Sequence, residues 1–212
     1  MLKHQEHILA MPASTFHPEG EWAPLLGADV IIAQRAKLEA DPSNRQLITY
    51  ATVRCGDRYA LYERLPAGNE AGLHGQLSIG WGWHTDLVDL VFDSDTGVLD
   101  LDATLARAAR RKLEKELELL GKLEEELELL GDNRIDRIRE VEWHIIFNAN
   151  AVDAVHAGIP MDVVVATEAI STRDPAIRFL GFKSLQELAG LERLESWSQL
   201  LVDLLLARTA KV

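Results

Sequence analysis

The sequence predicts an α/β fold in which helices cover a mixed β-sheet, and three observations carry that prediction. Residues 47–55 and 58–65 are rich in β-branched and aromatic residues, which favours strands. A helical segment follows, from Asp102 to about Leu120. Further strand-like segments then precede a leucine-rich helix near the end of the chain. Strands, a helix, more strands and a final helix are typical of a sheet with helices packed on it.

The first two strands are predicted to pair as an antiparallel hairpin. Gly56 and Asp57 separate them, and this dipeptide is typical of a tight turn between strands. Gln76 to Gly80 is predicted to form another strand. The segment SIGWGWH at 78–84 is then expected to be the glycine-broken exit of that strand into a loop.

The middle helix is predicted to begin near Asp102 or Thr104 and to be capped at its end by Gly121. The leucines of the last helix lie along one face, which offers a surface for a homodimer. The remaining elements are two strand candidates, Arg137 to Ala149 and Met161 to Thr167, and two helices, Leu185 to Ala189 and Leu194 to Arg208.

Length and composition favour one compact domain over residues 1–212. The chain has 212 residues, 47% of them hydrophobic, which is enough to bury a substantial core, and no linker divides it. The net charge of −12 argues against broad binding to duplex nucleic acid or to an anionic membrane surface.

The expected location follows from segments that the sequence lacks. No apolar run approaches the roughly 18 residues of a transmembrane helix. The start, MLKHQEHILAMP, has a short apolar stretch interrupted by charge, unlike a signal peptide. Cys55 is the only cysteine, which excludes an internal disulfide. We therefore expect a cytoplasmic protein in which Cys55 packs within a strand.

The segment AARRKLEKE at 108–116 resembles the helical half of a Nudix box. The box pattern is G-x5-E-x7-R-E-U-x-E-E-x-G-U, where U is a bulky apolar residue. Its arginine falls on Arg111 and its apolar residue on Leu113. The three acids of R-E-U-x-E-E fall on Lys112, Lys115 and Glu116, so that one acid remains in register.

The likeness to the Nudix superfamily covers nearly the whole chain. LITYATVR, LSIGWGWHTD, FLGFKSLQELA and LESWSQLLVDLL resemble, in this order, segments of bacterial proteins predicted to be Nudix-family phosphoesterases. The resemblance implies an α/β/α sandwich with a mixed β-sheet, in which the box forms a loop, a helix and a second loop after a strand. It also implies hydrolysis of a nucleoside diphosphate linked to another moiety, assisted by Mg²⁺ or Mn²⁺.

The acids of the box hold the metal ion, so their replacement bears directly on activity. Mg²⁺ prefers hard oxygen ligands, and positions i, i+3 and i+4 of a helix share one face. Glu116 is the acid that remains as a ligand, and the resemblance implies that Arg111 orients the acids. The ammonium groups of Lys112 and Lys115 cannot ligate Mg²⁺ and repel it.

Two interpretations of the function stay open at this point. The first is an active metal-assisted hydrolase. The second is a Nudix-fold module that has lost catalysis and binds a nucleotide or a protein, with Lys112 and Lys115 contacting phosphate. In either case the expected partner is a nucleotide or a nucleoside-diphosphate derivative.

A near-duplication offers a second register for the acids. LEKELELLG at 113–121 is followed by LEEELELLG at 123–131. In the second copy Glu125 and Glu126 restore the paired acids, whereas Gly121 takes the place of the arginine, so the first register is favoured. A solvated acidic helix surface is the simpler interpretation of most of these glutamates.

The loop before the helix offers further candidate ligands. Counting back from Arg111 places the first glycine of the box on Gly97 and its glutamate on Ala103. Asp100 and Asp102 flank that position and could supply the missing oxygen ligand. The favoured alternative is that they are ordinary loop and helix-entry acids.

The sequence GWH at 82–84 stands where the phosphoesterase subgroup has a GGH-type loop. His84 is therefore a candidate contact to phosphate or substrate, and Trp83, like Trp81, a candidate surface for stacking on a nucleobase. The alternatives are a structural histidine and tryptophans packed in the core, and these are favoured.

Overall fold

The computed structural model describes residues 6–16, 29–68, 71–119, 135–137 and 153–209. The strands are β1 (His7–Pro12), β2 (Ile31–Gln34), β3 (Asn44–Cys55), β4 (Arg58–Arg64), β5 (Leu77–Ser78), β6 (Gly80–His84), β7 (Leu117–Leu119), β8 (Ile135–Arg137), β9 (His156–Val164), β10 (Ile170–Thr172) and β11 (Ile177–Ser184). The α-helices are α1 (Arg35–Glu39), α2 (Leu101–Glu116), α3 (Leu185–Ala189) and α4 (Ser196–Thr209). Within these ranges, no helix is both long and apolar enough to cross a membrane.

The chain divides into two compact units. The first contains Met1–Tyr50, Gly82–Arg110 and Arg137–Met161, and the second contains Ala51–Trp81, Arg111–Asp136 and Asp162–Val212. Strands β3, β6 and β9 and helix α2 each contribute residues to both units. The expectation of a single domain over residues 1–212 stays a prediction.

The first unit is built on strand β1. This strand pairs antiparallel with β2 on one side and with the start of β3 on the other, where Ala10 lies opposite Gln46. Helix α1 packs on β1 and β2 because Leu38, which is buried, contacts a cluster that includes Ile8 and Ala10. The apolar residues of HILAMP therefore form a core strand, which the sequence did not predict.

The second unit is built on strand β4, which pairs antiparallel with the end of β3, with β5 and with β11. Helix α3 begins at a capping box, in which Ser184 and Glu187 exchange hydrogen bonds between side chain and backbone. Helices α3 and α4 pack against each other. The last helix buries Leu201, Val202 and Leu205 within the unit, so that much of its leucine face is covered.

The larger sheet has nine strands among the described residues, with the order β11-β4-β3-β1-β2, while β6 and β9 also pair with β3. The predicted hairpin is confirmed, since β3 and β4 pair antiparallel and Gly56 adopts a left-handed φ of 61° in the turn between them. The α/β fold class is confirmed as well. The strand predicted at Met161 to Thr167 corresponds to β9 (His156–Val164), which begins five residues earlier.

The prediction of a loop at SIGWGWH was wrong, because Gly80–His84 is strand β6 and pairs with β3. Its tryptophans alternate with small residues, so that Trp81 and Trp83 are buried while Gly82 is exposed. A Cβ atom on Gly82 would lie 3.4 Å from Ile48 Cγ2, which shows how closely β6 approaches the side chains of β3. The glycines here permit close strand packing and do not break the strand.

The predicted end of the middle helix was also wrong. Helix α2 ends at Glu116, and Leu117–Leu119 forms strand β7, which pairs antiparallel with β10. The backbone N–H of Arg173, the residue after β10, donates to the carbonyl of Glu116 at 2.8 Å and so replaces the donor that a further helical turn would have provided. The whole second repeat copy at 123–131, and residues 138–149 of the strand predicted at Arg137 to Ala149, lie outside the described residues.

Candidate functional site

Helix α2, which carries the degenerate box, begins at a side-chain cap. The Asp100 carboxylate accepts the backbone N–H of Ala103 at 2.9 Å, as an N-cap residue does. Thr104 Oγ1 accepts the backbone N–H of Val91 at 3.0 Å and so ties the preceding loop to the first turn. Asp102 is exposed on that turn. Asp100 therefore has the structural role that the sequence favoured, and its role as a metal ligand stays a prediction.

The buried face of α2 follows the helical period. Ala108 and Ala109 are completely buried, which is why the positions before Arg111 require small residues. Larger apolar side chains on the same face complete the contact with the core: Leu101, Leu105 and Leu113. This buried face fixes which side of the helix carries the box residues.

The acids of the loop before α2 mainly stabilise turns. Asp93 accepts the hydroxyl of Thr96 at 2.7 Å and the backbone N–H groups of Thr96 and Asp95, and these hydrogen bonds hold the pKa of Asp93 below its usual value. The turn closes at Gly97, whose φ is 67°. Asp86 and Asp89 form a capping box around the short turn 87–89.

The residues at the acid positions of the box lie on the last two turns of α2. Lys112 and Glu116, which are four residues apart, share a helix face and are half-buried, whereas Lys115 is exposed. The carbonyl of Glu116 also accepts the Thr172 hydroxyl at 3.4 Å, which helps to fix the end of the helix against β10. Arg111 is half-buried one residue before Lys112. The helix thus presents three cationic side chains and Glu116 at its end.

The described residues do not fit the metal site that the resemblance implies. Over the described ranges, no group of three or more His, Cys, Asp or Glu side chains is placed to hold a metal ion. Lysines at 112 and 115 remove two of the oxygen ligands that Mg²⁺ prefers. Glu125 and Glu126 lie outside the described residues. We therefore derive no catalytic step through a metal.

The candidate substrate contacts His84 and Trp83 belong to the first unit. His84 Nε2 lies 2.9 Å from Gln46 Oε1, and the rings of His84 and His156 meet edge to face with centroids 5.5 Å apart. Trp83 is buried, and its carbonyl accepts the Thr49 hydroxyl at 3.2 Å. Since successive strand residues face opposite sides of a sheet, these two side chains point in opposite directions. Their roles toward a substrate stay predictions.

The second unit contains a buried polar network that the sequence analysis did not identify. Ser78 Oγ donates to Glu195 Oε1 at 2.6 Å, and Arg64 Nε donates to Glu195 Oε2 at 2.9 Å. The backbone N–H of Ile79 donates to Ser198 Oγ at 3.0 Å. The Glu195 side chain is only 5% exposed. Such a carboxylate is stable in the interior only because its charge is paired and hydrogen-bonded.

Tyr62 lies beside this network and connects it electrostatically with the end of α2. Its hydroxyl donates to the carbonyl of Gly80 at 2.7 Å. Burial raises the pKa of Tyr62, Arg64 opposes that rise, and the negative charges of Glu195 and Glu116 add to it. Tyr62 is therefore neutral at physiological pH and acts as a hydrogen-bond donor.

The chain has a Nudix-like fold, as its likeness to a solved structure shows. The crystal structure of Tm1382, a protein proposed to be a Nudix hydrolase, superposes with a TM-score of 0.64 over 95% of this chain and 99% of that chain, at 18% sequence identity. The crystal structure of a hydrolase of the Nudix family from Clostridium perfringens matches with a TM-score of 0.40 over 76% of this chain and 94% of that chain, at 12% identity.

Among named proteins, the chain is similar to Protein YmaB of Bacillus subtilis (strain 168). The two are 29% identical over 177 residues, which covers 81% of this chain and 76% of YmaB. No family model matches the sequence. The resemblance to the Nudix superfamily is thus confirmed at the level of the fold.

Proposed function

We propose that the protein is a Nudix-type hydrolase that cleaves a phosphoanhydride bond in a nucleoside diphosphate linked to another moiety. The observation that supports this proposal is helix α2 (Leu101–Glu116), which carries Arg111 and Glu116 at the spacing of the box pattern, in a chain with a Nudix-like fold. The proposal depends on these side chains, because one fold can serve many activities.

The cationic side chains at the end of α2 suit a diphosphate ligand. Lys112, Lys115 and Arg111 would offset the negative charge of phosphoryl oxygens, which is the contribution that cations make in phosphoryl transfer. With a net charge of −12, the protein as a whole repels polyanions, so binding depends on such local cations.

Glu116 is the proposed catalytic carboxylate. In the proposed reaction a water oxygen attacks phosphorus, the P–O bond of the anhydride breaks, and the second phosphate leaves. The Glu116 carboxylate would accept a hydrogen bond from the attacking water and take up its proton. Its place at the junction of α2 and β7 holds its backbone rigidly, as the hydrogen bonds from Thr172 and Arg173 indicate.

The proposal is tested by incubating the protein with a panel of nucleoside-diphosphate sugars and dinucleotides, with and without Mg²⁺ or Mn²⁺, and following ³¹P NMR. New phosphate monoester signals are expected. A panel that stays uncleaved under all metal conditions would contradict the proposal.

A second candidate is a module that binds the same ligands without cleaving them. The observation that favours it is the pair of lysines at acid positions, since an ammonium group contacts phosphate directly but holds no metal. Binding of these ligands without any turnover would select this candidate.

A further inference from the structure

Exposed apolar side chains are concentrated in the loop before α2. Six large hydrophobic side chains are exposed among the described residues, and four of them lie between positions 87 and 98. These four are Leu87, Val88, Phe92 and Val98, with exposed fractions of 44%, 62%, 56% and 52%. All of them belong to the first unit. Large apolar side chains gathered in one exposed segment are typical of a surface that a partner covers.

Hydrogen bonds hold this segment in its exposed conformation. Phe92 and Leu99 lie opposite each other in an antiparallel bridge. The backbone N–H of Asp93 donates to the carbonyl of Val98 at 2.8 Å, and the turn between the two arms contains Gly97 with a φ of 67°. Residues 91–100 therefore form a short β-hairpin, which we call the loop hairpin. Because the loop hairpin is already folded, binding a partner costs little conformational entropy.

One backbone edge of the loop hairpin is open. The bond from Asp93 to Val98 makes Phe92 and Leu99 a non-hydrogen-bonded pair, and the N–H and carbonyl groups of such a pair point away from each other. Those of Phe92 form no hydrogen bond with any described residue. An extended polypeptide can donate to and accept from these groups, as a strand added to a sheet does.

The loop hairpin is also acidic. The sequence from Thr85 to Ala106 contains six aspartates and no lysine, arginine or histidine. Asp93 and Asp95 are exposed, and the groups that donate to their carboxylates in the described part of the chain are hydroxyl and backbone N–H groups, not cations. Their charges are therefore available to a cationic partner.

The same charge argues against two other occupants. A second copy of the chain has the same acidic hairpin and the same net charge of −12, so two copies repel each other at this surface. An anionic lipid surface is repelled for the same reason. A partner that is both apolar and basic avoids this repulsion and covers the exposed side chains.

We propose that the loop hairpin binds an extended segment of another protein in which apolar residues alternate with lysine or arginine. Successive residues of a strand face opposite sides, and the hairpin has the matching pattern, with Phe92 on one face and Asp93 on the other. Apolar side chains of the partner contact Phe92, and its cations pair with Asp93 and Asp95. The inference is independent of the proposed hydrolase, because it involves none of the side chains at the end of α2.

The test measures binding of a fluorescently labelled peptide, KVKVKVK, to the full chain by anisotropy. The peptides EVEVEVE, with reversed charge, and KSKSKSK, without apolar side chains, should each bind at least about tenfold more weakly. Phe92→Ser combined with Val98→Ser should weaken binding of KVKVKVK at least about tenfold. Ile32→Ser combined with Leu180→Ser removes exposed apolar side chains elsewhere and should bind as the wild type does.

The acids are tested with a matched pair of variants. Asp93→Asn combined with Asp95→Asn keeps the oxygens that accept the hydrogen bonds of the turn and removes two charges, so affinity for KVKVKVK should fall at least about threefold. Asp57→Asn combined with Asp203→Asn makes the same change in net charge at exposed positions of the second unit and should bind as the wild type does.

Three outcomes would overturn the inference: a wild type that does not bind KVKVKVK, equal binding of KSKSKSK, or a hairpin variant that binds as tightly as its control. Self-association of the free chain that Phe92→Ser abolishes would show that a second copy covers the loop hairpin. Binding to phosphatidylglycerol vesicles that Phe92→Ser abolishes would show that a lipid surface does. Either of these results would also overturn the inference.

Discussion

Ser78 and Glu195, which are 117 positions apart in the sequence, form a buried hydrogen bond of 2.6 Å. The bond joins the segment LSIG, which leads into β6, to the segment LESWSQLL, whose first two residues precede α4. Arg64 on β4 holds the other oxygen of the same carboxylate. Two segments that resemble the phosphoesterase subgroup are thus held together by one buried side chain.

This network should carry a large share of the stability of the second unit. We expect Glu195→Ala to lower the free energy of unfolding by about 3 kcal/mol, because it leaves Arg64 and Ser78 without their shared acceptor. Urea denaturation measures the change. Glu192→Ala, on an exposed neighbour, is the control and should cost less than about 0.5 kcal/mol. Equal costs for the two variants would show that the network is not stabilising.

Substitutions of Asp100 can distinguish a structural role of this residue from a role in metal binding. We expect Asp100→Ala to destabilise the protein by about 1 kcal/mol, since it removes the cap on the Ala103 N–H, whereas Asp100→Asn should retain nearly full stability. Thermal unfolding checks both values. If Asp100 is instead a metal ligand, Asp100→Asn would abolish stabilisation by added Mg²⁺, and this result would contradict a purely capping role.

The turn before α2 should make stability depend on acid pH through Asp93. Because hydrogen bonds from Thr96 and Asp95 lower the pKa of Asp93, its contribution is fully present above the unfolded pKa of about 3.9 and is lost as pH falls through the lower folded value. Urea unfolding at about pH 5 and about pH 3 should show a larger loss for the wild type than for Asp93→Asn. Identical losses in the two proteins would exclude this contribution.

The local signals in the sequence were sufficient for some elements and misleading for others. The hairpin at Gly56 and the helix Leu185–Ala189 were predicted because their turn and cap lie within a few residues. The end of α2 was not predicted correctly. The residues LEL at 117–119 are compatible with a helix, and it is their pairing with β10 that makes them a strand. Strand β6 was missed because its glycines resemble a loop, and only the nearby side chains of β3 explain them.

The candidate site, like the fold, could be predicted from the sequence only in part. The box residues Arg111 and Glu116 could be placed on a helix from a linear pattern alone. The contacts of Gln46 with His84, and of Glu195 with Ser78, join residues far apart in sequence, so no local spacing could indicate them. Such pairs can be identified only once the fold, including the register of its strands, is known.

The lysines of the box can be tested by reversing their charge. We expect Lys112→Glu combined with Lys115→Glu to weaken binding of ADP at least about tenfold, because two cations that face phosphate become anions. Calorimetric titration measures this affinity. Lys37→Glu combined with Lys183→Glu makes the same change in net charge at exposed or half-exposed positions and serves as the control. Tighter Mg²⁺ binding by the box variant, with ADP binding unchanged, would show that these positions face a metal.

The proposed hydrolase is tested most directly by turnover of Glu116→Gln on any nucleoside-diphosphate derivative that the wild type cleaves. The variant keeps the size of the side chain but cannot take up a proton, so we expect its kcat to fall at least about a hundredfold with little change in ligand affinity. Glu114→Gln, two residues away and exposed, should retain wild-type turnover. Turnover by Glu116→Gln equal to that of Glu114→Gln would contradict the assignment of Glu116 as the catalytic carboxylate.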